Sequence, residues 1–166
     1  GTYILGTGKV AVIDPGPNDE AHIDAILAGL PGEEVSHILV THTHMDHSPG
    51  CRPLQAETGA PTYAYGPHGA GKIEQGVQVE EGGDMDFEPD HLVTHGDIIQ
   101  GEDWTVECVY TPGHTSNHLC FALQEQKALF TGDHVMGWST SIISPPDGDM
   151  ADYMQSLELL LTRDDD

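Results

Sequence analysis

The chain has 166 residues, with 28 acidic side chains against 5 Lys and Arg and a formal net charge of −23. This length, with 37% hydrophobic residues, predicts one folded domain over residues 1–166 with a core of its own and excludes a disordered chain. The negative charge disfavours nucleic acid as a partner. No apolar run approaches the ~20 residues of a membrane span. Three cysteines are too few for a disulfide framework and predict buried thiols in a reducing, cytoplasmic compartment.

The first third of the chain predicts strands that alternate with helices. Two short β-rich runs, Thr2–Leu5 and Val10–Asp14, predict a hairpin. A helix follows, with Asn18 or Asp19 as its N-cap. Its apolar residues recur at helical spacing and form one face: Ile23, Ile26, Leu27 and Leu30. The next elements are predicted to be a strand, a short helix and another strand: Val35–Val40, Pro53–Thr58 and Pro61–Tyr65.

The rest of the chain begins with residues 66–90, which are rich in glycine and acid and predict a long surface segment. Trp104–Tyr110 alternates as a strand does, and Leu119–Leu123 with Ala128–Thr131 predicts a hairpin. A final helix is predicted over Met150–Leu161. Its inner face is expected to carry Met150, Tyr153, Met154, Leu157, Leu160 and Leu161. Strands alternating with helices favour an α/β layered domain.

A dense group of metal-binding residue types follows the predicted strand Val35–Val40. His42, His44, Asp46 and His47 stand within six residues. In an extended segment, side chains at i and i+2 point the same way, so His42 and His44 can converge on one point. Asp46 and His47 belong to the turn beyond it and can reach a second point nearby. Imidazole and carboxylate suit Zn²⁺, and also Fe or Mn. A His-rich surface loop is the alternative interpretation, which this density of ligands disfavours.

The string from His42 to His47, H-x-H-x-D-H, resembles the signature of the metallo-β-lactamase superfamily. The turns Thr111–Thr115 and Thr131–Asp133 are similar to the family's T-P-G-H-T and G-D turns, and they follow in the same order. The opening strands, which end in Asp14-Pro15-Gly16, resemble its N-terminal hairpin. His42–Pro49 and Ser144–Met150 are similar to the glyoxalase II and lactamase-beta-2-like branch.

The resemblance implies a four-layer αβ/βα sandwich with an incomplete C-terminal half. It implies a first metal held by His42, His44 and His114, and a second held by Asp46, His47 and a bridging Asp133. Asp46 would also orient the nucleophile. The implied reaction is attack by a hydroxide bound to two zinc ions on an ester-like bond, such as a thioester, of a small molecule. The family's last metal-binding His has no counterpart here, and we therefore expect a fragment, truncated at both ends.

Several residues keep two interpretations. Trp138, Ser139 and Thr140 follow Asp133 closely and either shape the substrate pocket or, for Trp138, pack against the sandwich. Cys51, four residues after His47, either approaches the metal or is a buried filler, and the filler is favoured. His118 either contacts a ligand from behind or is a strand-edge residue, which is favoured, and His68 is interpreted as a solvated loop residue. Two other activities fit the same fold, a zinc-dependent endoribonuclease and an iron-dependent persulfide dioxygenase. The sequence makes no prediction about the oligomeric state.

Overall fold

The computed structural model of the chain describes residues 1–71 and 82–165. Its helices are α1 (Glu20–Ala28), α2 (Cys51–Thr58) and α3 (Met150–Leu161). Its strands, in chain order, are β1 (Tyr3–Leu5), β2 (Lys9–Ile13), β3 (Glu34–Leu39), β4 (Thr62–Ala64), β5 (His91–Leu92), β6 (Ile98–Gln100), β7 (Thr105–Tyr110), β8 (Leu119–Leu123) and β9 (Ala128–Phe130). Among the described residues, no helix is long and apolar enough to cross a membrane.

The strands form two sheets. The first has the order β1-β2-β3-β4-β5, in which β1 runs antiparallel to β2 and the remaining neighbours are parallel. Parallel strands need a crossover connection, and α1 and α2 provide it between β2 and β3 and between β3 and β4. The second sheet, β6-β7-β8-β9, is antiparallel throughout. Both predicted hairpins are confirmed.

Alternate residues of each strand face different cores. In β2, Val10 and Val12 pack with α1 and α2, whereas Ala11 and Ile13 face the second sheet. In β8, Phe121 faces the first sheet, and its neighbours on the other face pack with α3. The order of layers is therefore two helices, sheet, sheet and one helix. The predicted four-layer αβ/βα sandwich is confirmed.

Helix α1 forms as its sequence predicts. The Asp19 carboxylate accepts hydrogen bonds from the backbone N–H groups of Ala21 and His22, which the first helical turn leaves without partners. The predicted apolar face of α1 packs against the first core: Ile23, Ile26, Leu27 and Leu30.

The predicted inner face of α3 is partly wrong. Its burial is fixed by two polar contacts: Ser156 Oγ donates to Pro112 O at 2.7 Å, and Tyr153 Oη donates to His134 O at 2.8 Å. In the next turn, Leu159 and Leu160 pack against the second sheet. Three residues predicted to face inward are instead exposed: Met150, Met154 and Leu161.

An ion pair fastens the end of α3 to β7. Arg163 donates two hydrogen bonds to the Glu107 carboxylate, at 3.1 and 2.9 Å, and these bonds lower the pKa of Glu107. We expect a double-mutant cycle with Arg163→Ala and Glu107→Gln to give a coupling energy of about 1 kcal/mol in the free energy of unfolding. The exposed pair Lys127–Asp164 is the matched control, with an expected coupling below about 0.5 kcal/mol. Urea unfolding measures both coupling energies. Equal values for the Arg163–Glu107 and Lys127–Asp164 pairs would contradict the conclusion that the Arg163–Glu107 pair fastens α3 to β7.

Candidate metal centre

Three loops bring the predicted ligands together. The loop after β3 carries His42, His44 and His47, the turn after β7 carries His114, and the turn after β9 carries Asp133. Gly113, at φ 142°, allows the second turn to lie against α3, where an added Cβ would stand 2.3 Å from Tyr153 Cα. The residues that the sequence places up to 91 positions apart thus face one small volume.

The donor atoms fall into two sets that share His42. One set is His42, His44 and His114, and the other is His42, His47 and Asp133; within each, the donors lie within 4.8 Å of one another. His44 Nδ1 is 3.0 Å from His114 Nε2, and His47 Nε2 is 3.3 Å from Asp133 Oδ1. Asp46 lies beside the second set, with Oδ2 3.5 Å from His47 Nε2, and its side chain is 74% exposed.

The outer ring nitrogens of three histidines are engaged by oxygen atoms. Thr41 Oγ1 lies 3.0 Å from His42 Nδ1, Asp14 Oδ2 lies 2.9 Å from His47 Nδ1, and the Ile142 carbonyl oxygen accepts from His114 Nδ1. Such second contacts fix the tautomer and leave Nε2 free to bind a metal. His42 Nε2 is buried and has no hydrogen-bond partner in the described part of the chain. The donor set and this unpartnered nitrogen fit a divalent metal ion.

The Asp14 carboxylate holds Thr41 and His47 in place behind the donor atoms. Its Oδ1 accepts from Thr41 N at 2.8 Å, and its Oδ2 accepts from Thr41 Oγ1 at 2.7 Å as well as from His47 Nδ1. The single Thr41 hydroxyl proton points to Asp14, so His42 Nδ1–H donates to Thr41 Oγ1. Asp14 is buried and has a φ of 49°. The Asp14 carboxylate therefore orients His47 directly and His42 through the Thr41 hydroxyl.

The donor histidines differ in protonation in the metal-free protein. Burial, with the imidazole of His114 next in effect, lowers the pKa of His44 to about 4, and burial lowers that of His42 well below its ordinary range. For His47, burial also lowers the pKa, but the carboxylates of Asp14, Asp133 and Asp46 offset it and raise the pKa to about 12. Neutral His42 and His44 have the lone pairs that a metal needs, whereas a metal must displace a proton from His47.

A buried polar network holds the backbone between the first two ligands. Thr43 Oγ1 accepts from Asn117 Nδ2 at 2.9 Å and is hydrogen-bonded to His68 Nδ1 at 2.8 Å. The prediction of a solvated His68 is wrong, because this loop folds inward against Gly83 and buries the ring. Nothing in the local Gly66-Pro67 sequence indicates this burial. Residues 72–81 of the predicted surface segment lie outside the described residues. At its end, Asp84 and Phe87 are buried and Phe87 packs in the first core, so the surface prediction is wrong there.

Two neighbours have structural contacts. His118 is fully buried, with its ring centroid 5.1 Å from that of His42 and its Nδ1 2.9 Å from Thr111 Oγ1. His118 therefore packs against the ligand His42 in the interior, and the strand-edge interpretation is wrong. Cys51 is buried at the start of α2, and burial raises the pKa of its thiol well above the ordinary value. It belongs to neither donor set, which agrees with a filler.

An open hollow of about 440 Å³ lies over the donor atoms. The site residues His44, Asp46, His114 and Asp133 line it, together with Met45, Gly82, Ile142 and Ser144. Trp138 is 74% exposed and lines a second hollow on another side of Asp133, beside Tyr3 and Phe130. Ser139 and Thr140 are exposed and line neither hollow. The structure therefore does not place these three predicted substrate residues over the donor atoms.

Comparison with known proteins agrees with this arrangement. The family model described as the metallo-beta-lactamase superfamily matches residues 2–166. The lactamase-like protein adaB of Aspergillus niger is 35% identical over 159 residues, which cover 94% of this chain and 44% of that protein. The atrochrysone carboxyl ACP thioesterase of Aspergillus fumigatus is 34% identical over 164 residues, covering 94% of this chain and 45% of the relative. The chain thus spans less than half the length of these curated relatives.

A solved structure shares the fold and was determined with metal. The protein TTHA1623 in a di-iron-bound form superposes with a TM-score of 0.74 at 25% sequence identity, covering 97% of this chain and 80% of that chain.

Proposed function

The chain belongs to the metallo-beta-lactamase superfamily, and from this membership we propose that it is a metal-dependent hydrolase that cleaves a thioester or a related ester-like bond of a small molecule. One observation carries the proposal: two sets of His and Asp donors share His42 and open onto a hollow large enough for a small substrate. A binding module would have no use for the paired donor sets.

The donor types favour a pair of Zn²⁺ ions, with Fe or Mn as the alternatives. His42, whose one inward nitrogen can bind only one ion, would hold the first ion with His44 and His114. His47 and Asp133 would hold the second, together with Asp46, whose carboxylate lies beside His47. When bound, such ions lower the pKa of a coordinated water and polarise the substrate carbonyl.

The protein's own residues prepare the site for that chemistry. Asp14 and Thr41 keep the ring protons of His47 and His42 on Nδ1, which directs both Nε2 atoms inward. Asp46 lines the hollow with an exposed carboxylate, whose pKa is lowered to about 2 mainly by its contact with His47. It is therefore ionised at neutral pH and would orient an attacking water by accepting a hydrogen bond from it.

The choice of bond is supported by a relative. A protein 34% identical to this chain is named a thioesterase, and a thioester needs neither a basic groove nor a phosphate site. A ribonuclease is disfavoured by the net charge of −23, since an RNA backbone needs cationic contacts.

A metal-reconstitution experiment tests the function. We expect the chain, purified in chelator, to hydrolyse S-acetyl-N-acetylcysteamine at least about 100-fold more slowly than the same protein after addition of Zn²⁺, because metal contributes several kcal/mol to the transition state. Thiol release measures the rate, and parallel samples receive Fe²⁺ or Mn²⁺. Full turnover in protein shown to be free of metal would overturn the proposal. So would RNA cleavage or oxygen uptake on a persulfide in the absence of thioester hydrolysis.

A further inference from the structure

The hollow over the donor atoms has an apolar outer wall. Met45 and Ile142 line it, and their side chains are 52% and 67% exposed. Large apolar side chains of this exposure gain hydrophobic stabilisation only when something covers them. They lie beside the proposed reaction centre, where a bound substrate would cover them.

Both wall residues are held by the metal-binding loops. The Ile142 carbonyl oxygen accepts the hydrogen bond from His114 Nδ1, so its backbone is tied to a ligand. Met45 stands in the chain between His44 and Asp46, and its N–H donates to Gly82 O at 2.9 Å. The wall therefore has a fixed place relative to the point where the scissile bond would lie.

The same hollow has no basic side chain among the described residues. Four of the five Lys and Arg are described, and they lie elsewhere: Lys9, Arg52, Lys127 and Arg163. The fifth, Lys72, lies outside the described residues. The charged carboxyl groups that line the hollow are those of Asp46 and Asp133, and both belong to the proposed metal site. The substrate's remote end thus meets apolar side chains and, among the described residues, no basic group that could pair with a carboxylate, in a chain of net charge −23.

We propose that this hollow selects substrates by an uncharged, apolar acyl group that packs against Met45 and Ile142, and that it discriminates against acyl groups that end in a carboxylate. This inference rests on the proposed hydrolase function and adds the substrate class. Apolar contact accounts for the preference among neutral acyl groups. Repulsion by the acidic surface and the lack of a described cationic partner account for discrimination against anionic ones.

The test uses N-acetylcysteamine thioesters, which differ only in the acyl group. From acetyl to butyryl to hexanoyl, kcat/KM is expected to rise about threefold per buried methylene. A hexanoyl group that ends in a carboxylate is expected to react at least about tenfold more slowly than the neutral one. The corresponding thioethers, which cannot be hydrolysed, are expected to bind in the same order in ligand-detected NMR titrations.

Variants locate the preference on the wall. Ile142→Lys is expected to reduce kcat/KM for the hexanoyl thioester and to increase it for the carboxylated one. The ratio of kcat/KM for the neutral hexanoyl thioester to that for the carboxylated one should therefore fall at least about tenfold. Ile98→Lys is the matched control: Ile98 is 52% exposed but lies in β6, outside the hollow, and the ratio should stay unchanged. Circular dichroism confirms that both variants are folded.

The possible failures are distinguishable. Normal acetyl hydrolysis with a flat acyl series, or an Ile142→Lys ratio equal to that of Ile98→Lys, would overturn the substrate class alone. Absence of all thioester hydrolysis would overturn the proposed function. The thioether titrations would then still decide whether the hollow prefers neutral acyl groups, and equal binding of the neutral and carboxylated analogues would overturn that preference.

Discussion

Replacement of His44 by alanine is expected to lower thioester hydrolysis by at least about 100-fold and to reduce the amount of bound metal, while the protein remains folded. His44 offers one donor of the set that also contains His42 and His114, and a site with three protein donors cannot lose one without a large loss of affinity. A 100-fold loss corresponds to about 3 kcal/mol of transition-state stabilisation. Elemental analysis after gel filtration measures the metal, and thiol release measures the rate.

His44 suits this experiment better than His42 because of its place in the fold. His42 is fully buried, so its truncation would leave a cavity and confuse loss of metal with loss of structure. His44 is only half-buried, and it contributes to one set, which leaves His47 and Asp133 in place. His95→Ala, at an exposed histidine outside both sets, is the matched control. If His44→Ala retained the metal content and the rate of the control, the assignment of this donor set would be wrong.

The ligands that stand close together in the sequence can be predicted because local geometry alone determines them. His42 and His44 are two residues apart after a strand, and the structure brings both to one donor set. The other two donors, His114 and Asp133, come from turns distant in the sequence. Only the resemblance of these turns to those of the metallo-β-lactamase superfamily predicts them as ligands. Nothing in spacing or hydrophobic periodicity shows that the ends of β7 and β9 meet the end of β3.

The hydrogen bonds that orient the ligand histidines cannot be predicted from the sequence pattern, because they join residues that only the fold brings together. Asp14 appeared only as the end of a strand, yet its carboxylate contacts Thr41 and His47 from 27 and 33 residues away. The carbonyl oxygen of Ile142, which orients His114, has no sequence signal at all, because every residue has a carbonyl. Strands β5 and β6, which have two and three residues, were not predicted from the sequence.

Replacement of Asp14 by asparagine is expected to weaken metal binding by about 10- to 100-fold, although Asp14 contacts no metal. The Asp14 carboxylate only accepts, from Thr41 N, from Thr41 Oγ1 and from His47 Nδ1. An asparagine amide must present two N–H donors to one of these sites. If it faces His47, the ring accepts at Nδ1 and carries its proton on Nε2, the atom that faces Asp133. In the wild-type protein a metal displaces the Nε2 proton and the ring keeps its Nδ1–H. In the variant Nε2 carries the ring's only proton, so a metal can bind only if the tautomer reverses and the hydrogen bond from residue 14 is lost.

Backbone strain does not explain this expectation, since asparagine tolerates the φ of 49° at this position as well as aspartate does. Competition with a chromophoric chelator measures the metal affinity, and thermal unfolding in chelator measures the stability of the metal-free protein. Asp84→Asn is the matched control, because Asp84 is also buried but belongs to neither donor set, and its carboxylate accepts from Ser48 and Arg52, neither of which is a donor residue. It should cost stability and leave metal affinity unchanged. Equal affinities in both variants would show that His47 keeps its orientation without the Asp14 carboxylate.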